Sequence, residues 1–136
     1  MKIVVCLDDK NGMLFNNRRQ SKDSALRARL LELVGSGVVW MNPYSAGQFA
    51  EVSDAICVDD DFLAKANNGE YCFVENTDIS SCADAVEQLI VFRWNRCYPA
   101  DMKFPLELFS NRWQLVSRAD FAGNSHERIT QEVYAL

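Results

Sequence analysis

The sequence predicts an α/β fold of three layers, in which a mainly parallel central sheet is covered on both faces and carries a C-terminal antiparallel hairpin. Short apolar runs rich in β-branched and aromatic residues recur at 2–7, 38–41, 55–58, 71–74 and 89–94, the length and composition of buried strands rather than buried helices. Helix-start signals lie between them, so strand and helix alternate four times. That order implies parallel strands joined by right-handed crossovers. After Pro99 the helical patterns stop. Two longer strands near 113–121 and 127–135, joined across Gly123, read as an antiparallel edge hairpin.

Each element follows from local signals. Ile3-Val4-Val5-Cys6-Leu7 reads as a central strand, and the Asp-Asp-Lys-Asn-Gly run at 8–12 ends it. Residues 13–20 read as a continuation of that loop. Leu26, Leu30, Leu31, Leu33 and Val34 then fall near one helical face, which predicts a helix over about 22–34 with Ser21 as N-cap and Gly35 as its stop. Val38-Val39-Trp40-Met41 is the second strand, and Pro43 suits the first turn of a short helix through Phe49. Ala55-Ile56-Cys57-Val58 is the third, after which Asp59-Asp60-Asp61 opens a helix whose positive N-terminal dipole end the acids complement. Tyr71-Cys72-Phe73-Val74 is the fourth strand. Ser80 or Ser81 caps a helix carrying Ala83, Val86 and Glu87, and Leu89 to Trp94 makes the fifth strand.

A chain of 136 residues has the size of one domain, so residues 1–136 are expected to share one core. A net charge of −5 disfavours a general nucleic-acid or anionic-membrane surface, since either calls for a basic face. The longest apolar runs are too short to cross a bilayer, and Asp8-Asp9 cut the first one off before a secretory pattern develops. Five cysteines, at 6, 57, 72, 82 and 97, form no C-x-x-C pair. An odd number within strand-like segments fits reduced thiols of a soluble, cytoplasmic protein and supports neither a disulfide framework nor a zinc site.

Phe104-Pro105, Trp113, the Gly123-Asn124-Ser125-His126 turn and Glu132-Val133-Tyr134 follow one another with the order and spacing of the C-terminal hairpin of dihydrofolate reductases. Asn11-Gly12-Met13 is similar to that family's G-M loop, and Val38-Val39-Trp40-Met41-Asn42 stands where its V-I-M-G-R strand end lies. The resemblance implies a dihydrofolate reductase-like fold over nearly the whole chain. It also implies where a cofactor would sit, and there the chain departs. After the strand at 71–74 the family has a glycine run; this chain reads Glu75-Asn76-Thr77-Asp78-Ile79-Ser80. The family's phosphate-holding G-R-x-T is replaced by Met41-Asn42-Pro43-Tyr44-Ser45, in which Ser45 keeps a hydroxyl but Asn42 supplies no guanidinium. Side chains at Glu75 and Asp78 would fill the phosphate space and repel an anion. These substitutions argue against family-type NADPH binding.

The resemblance also points to candidate ligand residues. Asp23 stands at the start of the first helix, where the family places an acidic residue that serves the pterin ring; capping of that helix is the competing role. The segment Asn16-Asn17-Arg18-Arg19-Gln20-Ser21 falls in the loop that closes over the family's active site. Forked guanidinium donors at Arg18 and Arg19 suit phosphate or carboxylate, unless they pair with acids such as Asp8, Asp9 or Glu127. Asn124, Ser125 and His126 would lie beside that loop. His126 is the only histidine, so a multi-histidine metal site is excluded, whereas a single general acid or base is not. Short chains of this type also resemble proteins labelled ribonuclease Z, whose two-metal chemistry needs an H-x-H-x-D-H run that this sequence lacks. Arg93 to Tyr98 interleaves cations with aromatics, as single-stranded nucleic-acid sites do. Its aromatics also suit covering the hairpin. Three function classes follow: a small-anion-binding domain without family-type hydride transfer, a divergent NADPH-dependent reductase, and a protein or RNA interaction module. Any ligand site is expected between segment 12–23 and the carboxyl ends of the strands.

Overall fold

The computed structural model describes residues 1–49, 53–109 and 112–136. A seven-stranded sheet forms the centre. In chain order its strands are β1 (Lys2–Leu7), β4 (Val39–Met41), β5 (Ile56–Val58), β6 (Tyr71–Phe73), β7 (Gln88–Arg93), β9 (Gln114–Phe121) and β10 (Ile129–Ala135). They lie side by side as β5-β4-β6-β1-β7-β10-β9. The first five are parallel, with Ile3 opposite both Cys72 and Leu89 in the registers of β1. β10 adds antiparallel to β7, and β9 adds antiparallel to β10. The mainly parallel sheet and C-terminal hairpin are therefore as the alternation of apolar runs predicts.

The pleat of β1 divides the core. Ile3, Val5 and Leu7 point into one cluster, completed by Phe62, Ile79, Val86, Phe104 and Phe109. Val4 points to the other face, where Phe73, Ile90 and Phe92 meet Leu26, Leu30 and Val34 of helix α1 (Ser24–Val34). The spacing of those three residues is what turns one stripe of α1 onto the sheet. Gly35 ends the helix with φ 59° and returns its N–H to Leu31 O, and glycine adopts that positive φ without a Cβ clash.

Several expectations need correction. Asp23, not Ser21, caps α1, and its carboxylate accepts from the N–H groups of Ala25 and Leu26. Helix α2 (Pro43–Ala46) is a single turn capped by Asn42 rather than a helix through Phe49. Helix α3 is likewise one turn, Phe62–Lys65, and Asp61 at its start makes no side-chain cap bond. Residues Ser80–Ala85 form a 3₁₀ helix without a serine cap, leaving Val86 and Glu87 outside it.

The largest difference falls on the 13–20 loop. It folds as a hairpin of β2 (Gly12–Phe15) and β3 (Arg18–Arg19), with β8 (Met102–Lys103) added to form a second, three-stranded sheet. Asn16 and Asn17 turn the hairpin with φ 51° and 60°. Positive φ at both central residues is the geometry of a two-residue turn matched to strand twist, and asparagine tolerates it better than most side chains. No helix among the described residues is long and apolar enough to cross a membrane.

Candidate functional site

The carboxyl ends of β1, β4, β6 and β7 share one end of the sheet, and two polar networks gather there. The first is built on Arg19. Its Nε donates to Glu75 Oε2 at 2.9 Å, and Nη2 donates to Glu75 Oε1 and to Tyr44 O at 3.2 and 3.1 Å. The guanidinium stacks 4.2 Å from the Tyr44 ring centroid, while the Tyr44 hydroxyl receives the Arg19 N–H at 2.8 Å. Gln48 adds a further amide bond to Glu75 Oε1 at 3.0 Å. Glu75 is 7% exposed, so its charge is held by a forked partner rather than by water. The sequence marks Glu75 as filling the phosphate space. Its partnership with Arg19, 56 residues away, has no local signal, and of the acids proposed for the arginine loop none pairs with Arg19.

Asn42 and Ser45 lie beside this network. Asn42 Oδ1 caps α2 through the Ser45 N–H, and its Nδ2 donates to Asn76 Oδ1 at 2.7 Å, bridging the ends of β4 and β6. Ser45 is fully buried and its hydroxyl has no hydrogen-bond partner among the described residues.

The second network is built on Asp23, 2% exposed. Besides capping α1, its carboxylate accepts from the backbone N–H groups of Asn124 and Ser125 at 2.8 and 2.7 Å, and from Ser125 Oγ at 3.0 Å. Burial alone would raise its pKa, but these donors outweigh it and hold the carboxyl well below the usual range. A Cβ on Gly123 would lie 2.8 Å from Asp23 Oδ2 and 2.6 Å from His126 O, so the turn approaches the carboxylate only because position 123 has no side chain.

His126 continues the chain of contacts. Its Nδ1 lies 2.8 Å from Ser125 Oγ and 3.6 Å from Asp23 Oδ2, and its Nε2 lies 2.7 Å from the Tyr98 hydroxyl. Ser125 Oγ has acceptors at Lys22 O and Asp23 Oδ2 for its one proton. Nδ1–H then donates to Ser125, and Tyr98 donates to the bare Nε2. Burial lowers the His126 pKa, with Asp23 opposing and Arg96 reinforcing the shift, which agrees with that neutral tautomer. The ring stacks on Trp94 at 4.6 Å. The aromatics of 93–98 thus meet the hairpin turn.

Asp8 ties the β2–β3 hairpin to both networks. Its carboxylate accepts from the N–H groups of Lys10, Gly12 and Tyr98 and from Gln20 Nε2. Burial raises its pKa, and these bonds overcome it and lower the value below the ordinary one. Cys6, on β1 two residues before Asp8, packs against the cluster that holds Val4 and Phe92; burial pushes its thiol pKa up, Glu75 adds to that push and Arg19 opposes it.

One part of the constellation is open. A cavity of about 480 Å³ lies between the hairpin (Phe15, Asn16, Arg18, Arg19 and Gln20) and the Tyr98-Pro99 segment. Arg18, Arg19 and Gln20 are thus brought together, and Tyr98 connects them to His126, Ser125 and Asp23. Asn42 and Ser45 do not reach this cavity; they join it only through Tyr44 and Arg19. Among the described residues, no group of three or more His, Cys, Asp or Glu side chains could hold a metal ion.

A five-stranded parallel sheet with an antiparallel hairpin at one edge, its polar networks at the carboxyl ends of the strands, defines an α/β protein of the dihydrofolate reductase-like fold. The structure is similar to that of dihydrofolate reductase from Enterococcus faecalis complexed with NADP(H) and RAB-propyl, with a TM-score of 0.71 over 98% of this chain and 94% of that one. Sequence identity is 11%, so the likeness is one of fold. No protein-family model matches the chain, and no curated protein matches it.

Proposed function

We propose that this protein binds a small anionic molecule in the cavity beside β3 and does not transfer hydride from NADPH in the manner of the reductases it resembles in fold. The observation that carries the reading is Arg18. Its side chain is exposed, lines the cavity and has no hydrogen-bond or ion-pair partner among the described residues. An uncommitted guanidinium offers a planar fork to a phosphate or carboxylate, and a neighbouring pair already satisfied by Glu75 does not compete with it.

The cofactor named with the structural neighbour fits these residues poorly. A phosphate at the end of β6 would meet the Glu75 carboxylate, already engaged by Arg19 and Gln48. The Asn42–Asn76 bond closes the gap between the ends of β4 and β6, where an anion would need free donors. Five free cysteines support a cytoplasmic setting.

Calorimetric titration at low salt with inorganic phosphate and with small carboxylates tests the reading. Saturable binding that weakens about tenfold in Arg18→Ala supports it. Absence of binding to every anion tried rejects it. Tight, saturable NADPH binding, or NADPH oxidation with dihydrofolate, returns the reductase assignment.

A further inference from the structure

The two edges of the central sheet differ. One is β5, with three residues; the other is β9, with eight, of which seven are exposed and Phe121 is half-buried. Leu115 and Val116 are 49% and 56% exposed. β9 ends the strand order, and among the described residues its backbone pairs with β10 alone, so its outer row of N–H and C=O groups is open to a further strand. Pairing with β10 is regular over five residues, Ser117 to Phe121, until a register shift opposite Val133 and Tyr134 leaves Val116 without a facing residue. Ala119 is the midpoint of that segment. On either side of it stand Arg118 and Asp120, both on the face that carries Glu132 and Thr130. Arg118 is exposed and has no hydrogen bond or ion pair among the described residues; the acid opposite it, Glu132, is held by Arg93 Nε at 3.0 Å and the Tyr134 hydroxyl at 3.1 Å. Asp120 Oδ1 accepts from the Thr130 hydroxyl at 2.7 Å, while Oδ2 lies 3.9 Å from Arg128 and the side chain is 45% exposed.

We propose that β9 is a homodimer edge: a second copy of the chain adds its own β9 antiparallel, with the two-fold axis at Ala119. Charge sets the register. With Ala119 on the axis, Arg118 faces Asp120 of the second copy and Asp120 faces its Arg118, so each charge meets its opposite on one face. A slip of two residues one way sets Arg118 against Arg118, and the other way sets Asp120 against Asp120. A slip of one residue turns the charged face of one copy onto the opposite face of the other. Ala119, the smallest side chain of the segment, stands where each copy meets itself, and Ser117 leaves room for Phe121. The overlap also brings the exposed Val116 toward Ala122 at each end. An extended peptide of another protein would use the same backbone row, but the edge's own sequence supplies the complementary order of charges. The cavity beside β3 contains no β9 residue, so this inference is independent of the anion reading.

Sedimentation equilibrium of the full chain, under reducing conditions that silence the exposed Cys97, tests the edge. Five facing pairs make a small interface, so the native chain should dimerise with a Kd of about 10–100 µM, and less tightly as salt screens the exposed charges. Arg118→Asp sets acids against acids on both sides of the axis, and Asp120→Arg sets arginines there. Each variant, its fold checked by circular dichroism, should self-associate at least about tenfold more weakly. Mixed, the two folded variants should dimerise with each other about as tightly as the native chain, since every arginine at these positions then faces an aspartate. In the native chain, amide hydrogen exchange within 117–121 should slow as protein concentration rises, a readout that needs no variant. A native chain that stays monomeric at about 1 mM overturns the inference and leaves the edge to an extended peptide of another protein. A dimer that both reversals leave intact overturns it too, as do folded variants that fail to pair when mixed, or exchange within 117–121 that ignores concentration.

Discussion

Asp23 and Arg18 belong to one stretch of chain, yet one is completely engaged and the other is uncommitted. Asp23 receives donors from its own helix and from a turn 101 residues away, sits behind His126, and is shut off from solvent. Arg18 stands at the rim of a cavity beside an exposed phenylalanine. Charge at a closed position fastens elements together, because every lone pair has a donor and removal strands several groups at once. Charge at an open position is left for something outside the chain. The resemblance points to both as ligand residues, and the geometry separates them. Arg19 lies between: it faces the same cavity, but its fork is filled by Glu75, so it joins the hairpin to the sheet more than it offers a site.

The largest effect should come from breaking the Asp23 network. Asp23→Ala removes the α1 cap and leaves the N–H groups of Asn124 and Ser125 without their acceptor in a buried place. A loss of about 3–5 kcal/mol is expected by urea unfolding. A loss below about 1 kcal/mol would show that water replaces the carboxylate and that the two regions differ less than their burial suggests.

Next is the Arg19–Glu75 pair. Arg19→Ala leaves a nearly buried carboxylate with Gln48 as its remaining donor, and about 2–4 kcal/mol should be lost. Glu75→Gln in that background should recover part of it, since the unpaired charge is then gone. Hydrogen exchange should locate the opening in the 12–19 hairpin. Uniform protection loss across the sheet would instead make the pair a global strut.

The pH dependence separates the regions by a smaller effect. Asp23 and Asp8 both have lowered folded pKa values, so their contribution is complete above the ordinary carboxylate range and is lost as pH falls through and below about 4. His126 is also lowered. For a base this means that stability is full above about 6.5, where the unfolded histidine is neutral, and declines as pH falls below it. Urea midpoints from pH 7 to 3 should therefore fall in two stages. His126→Gln should flatten the upper stage and Asp23→Asn the lower one.

How much of this is legible in the sequence depends on the range of each interaction. β1 and β7 are readable because they are continuous apolar runs buried on both faces, and Gly35 because a helix stop is a local event. Ser21 and Asp23 are both competent caps; only the turn at 123–126, folded back from the far end of the chain, decides for Asp23. The β2–β3 hairpin escapes because its strands are short and its turn is Asn-Asn rather than Asn-Gly, so no pattern of sufficient length exists. Arg18 and Arg19 are chemically identical neighbours. Alternation along β3 and the distant Glu75 make one of them a fastener, and neither cause is visible near position 18.

The smallest stability change is the most discriminating for the comparison. Arg18→Ala removes a long exposed side chain that holds nothing, so the urea midpoint should move by less than about 0.5 kcal/mol, while Arg19→Ala beside it costs several times more. Anion affinity should respond in the opposite order. Arg18→Ala is expected to lose about tenfold in phosphate binding, and Arg18→Lys, which keeps the charge but not the planar fork, should recover only part of it. Salt should weaken binding to the native chain more steeply than to Arg18→Ala, because an exposed guanidinium is screened and an absent one is not. If Arg18→Ala destabilises the fold as much as Arg19→Ala, then Arg18 has a partner in solution that its exposed position conceals. The open region would then be a second closed one, and the anion reading would lose its main support.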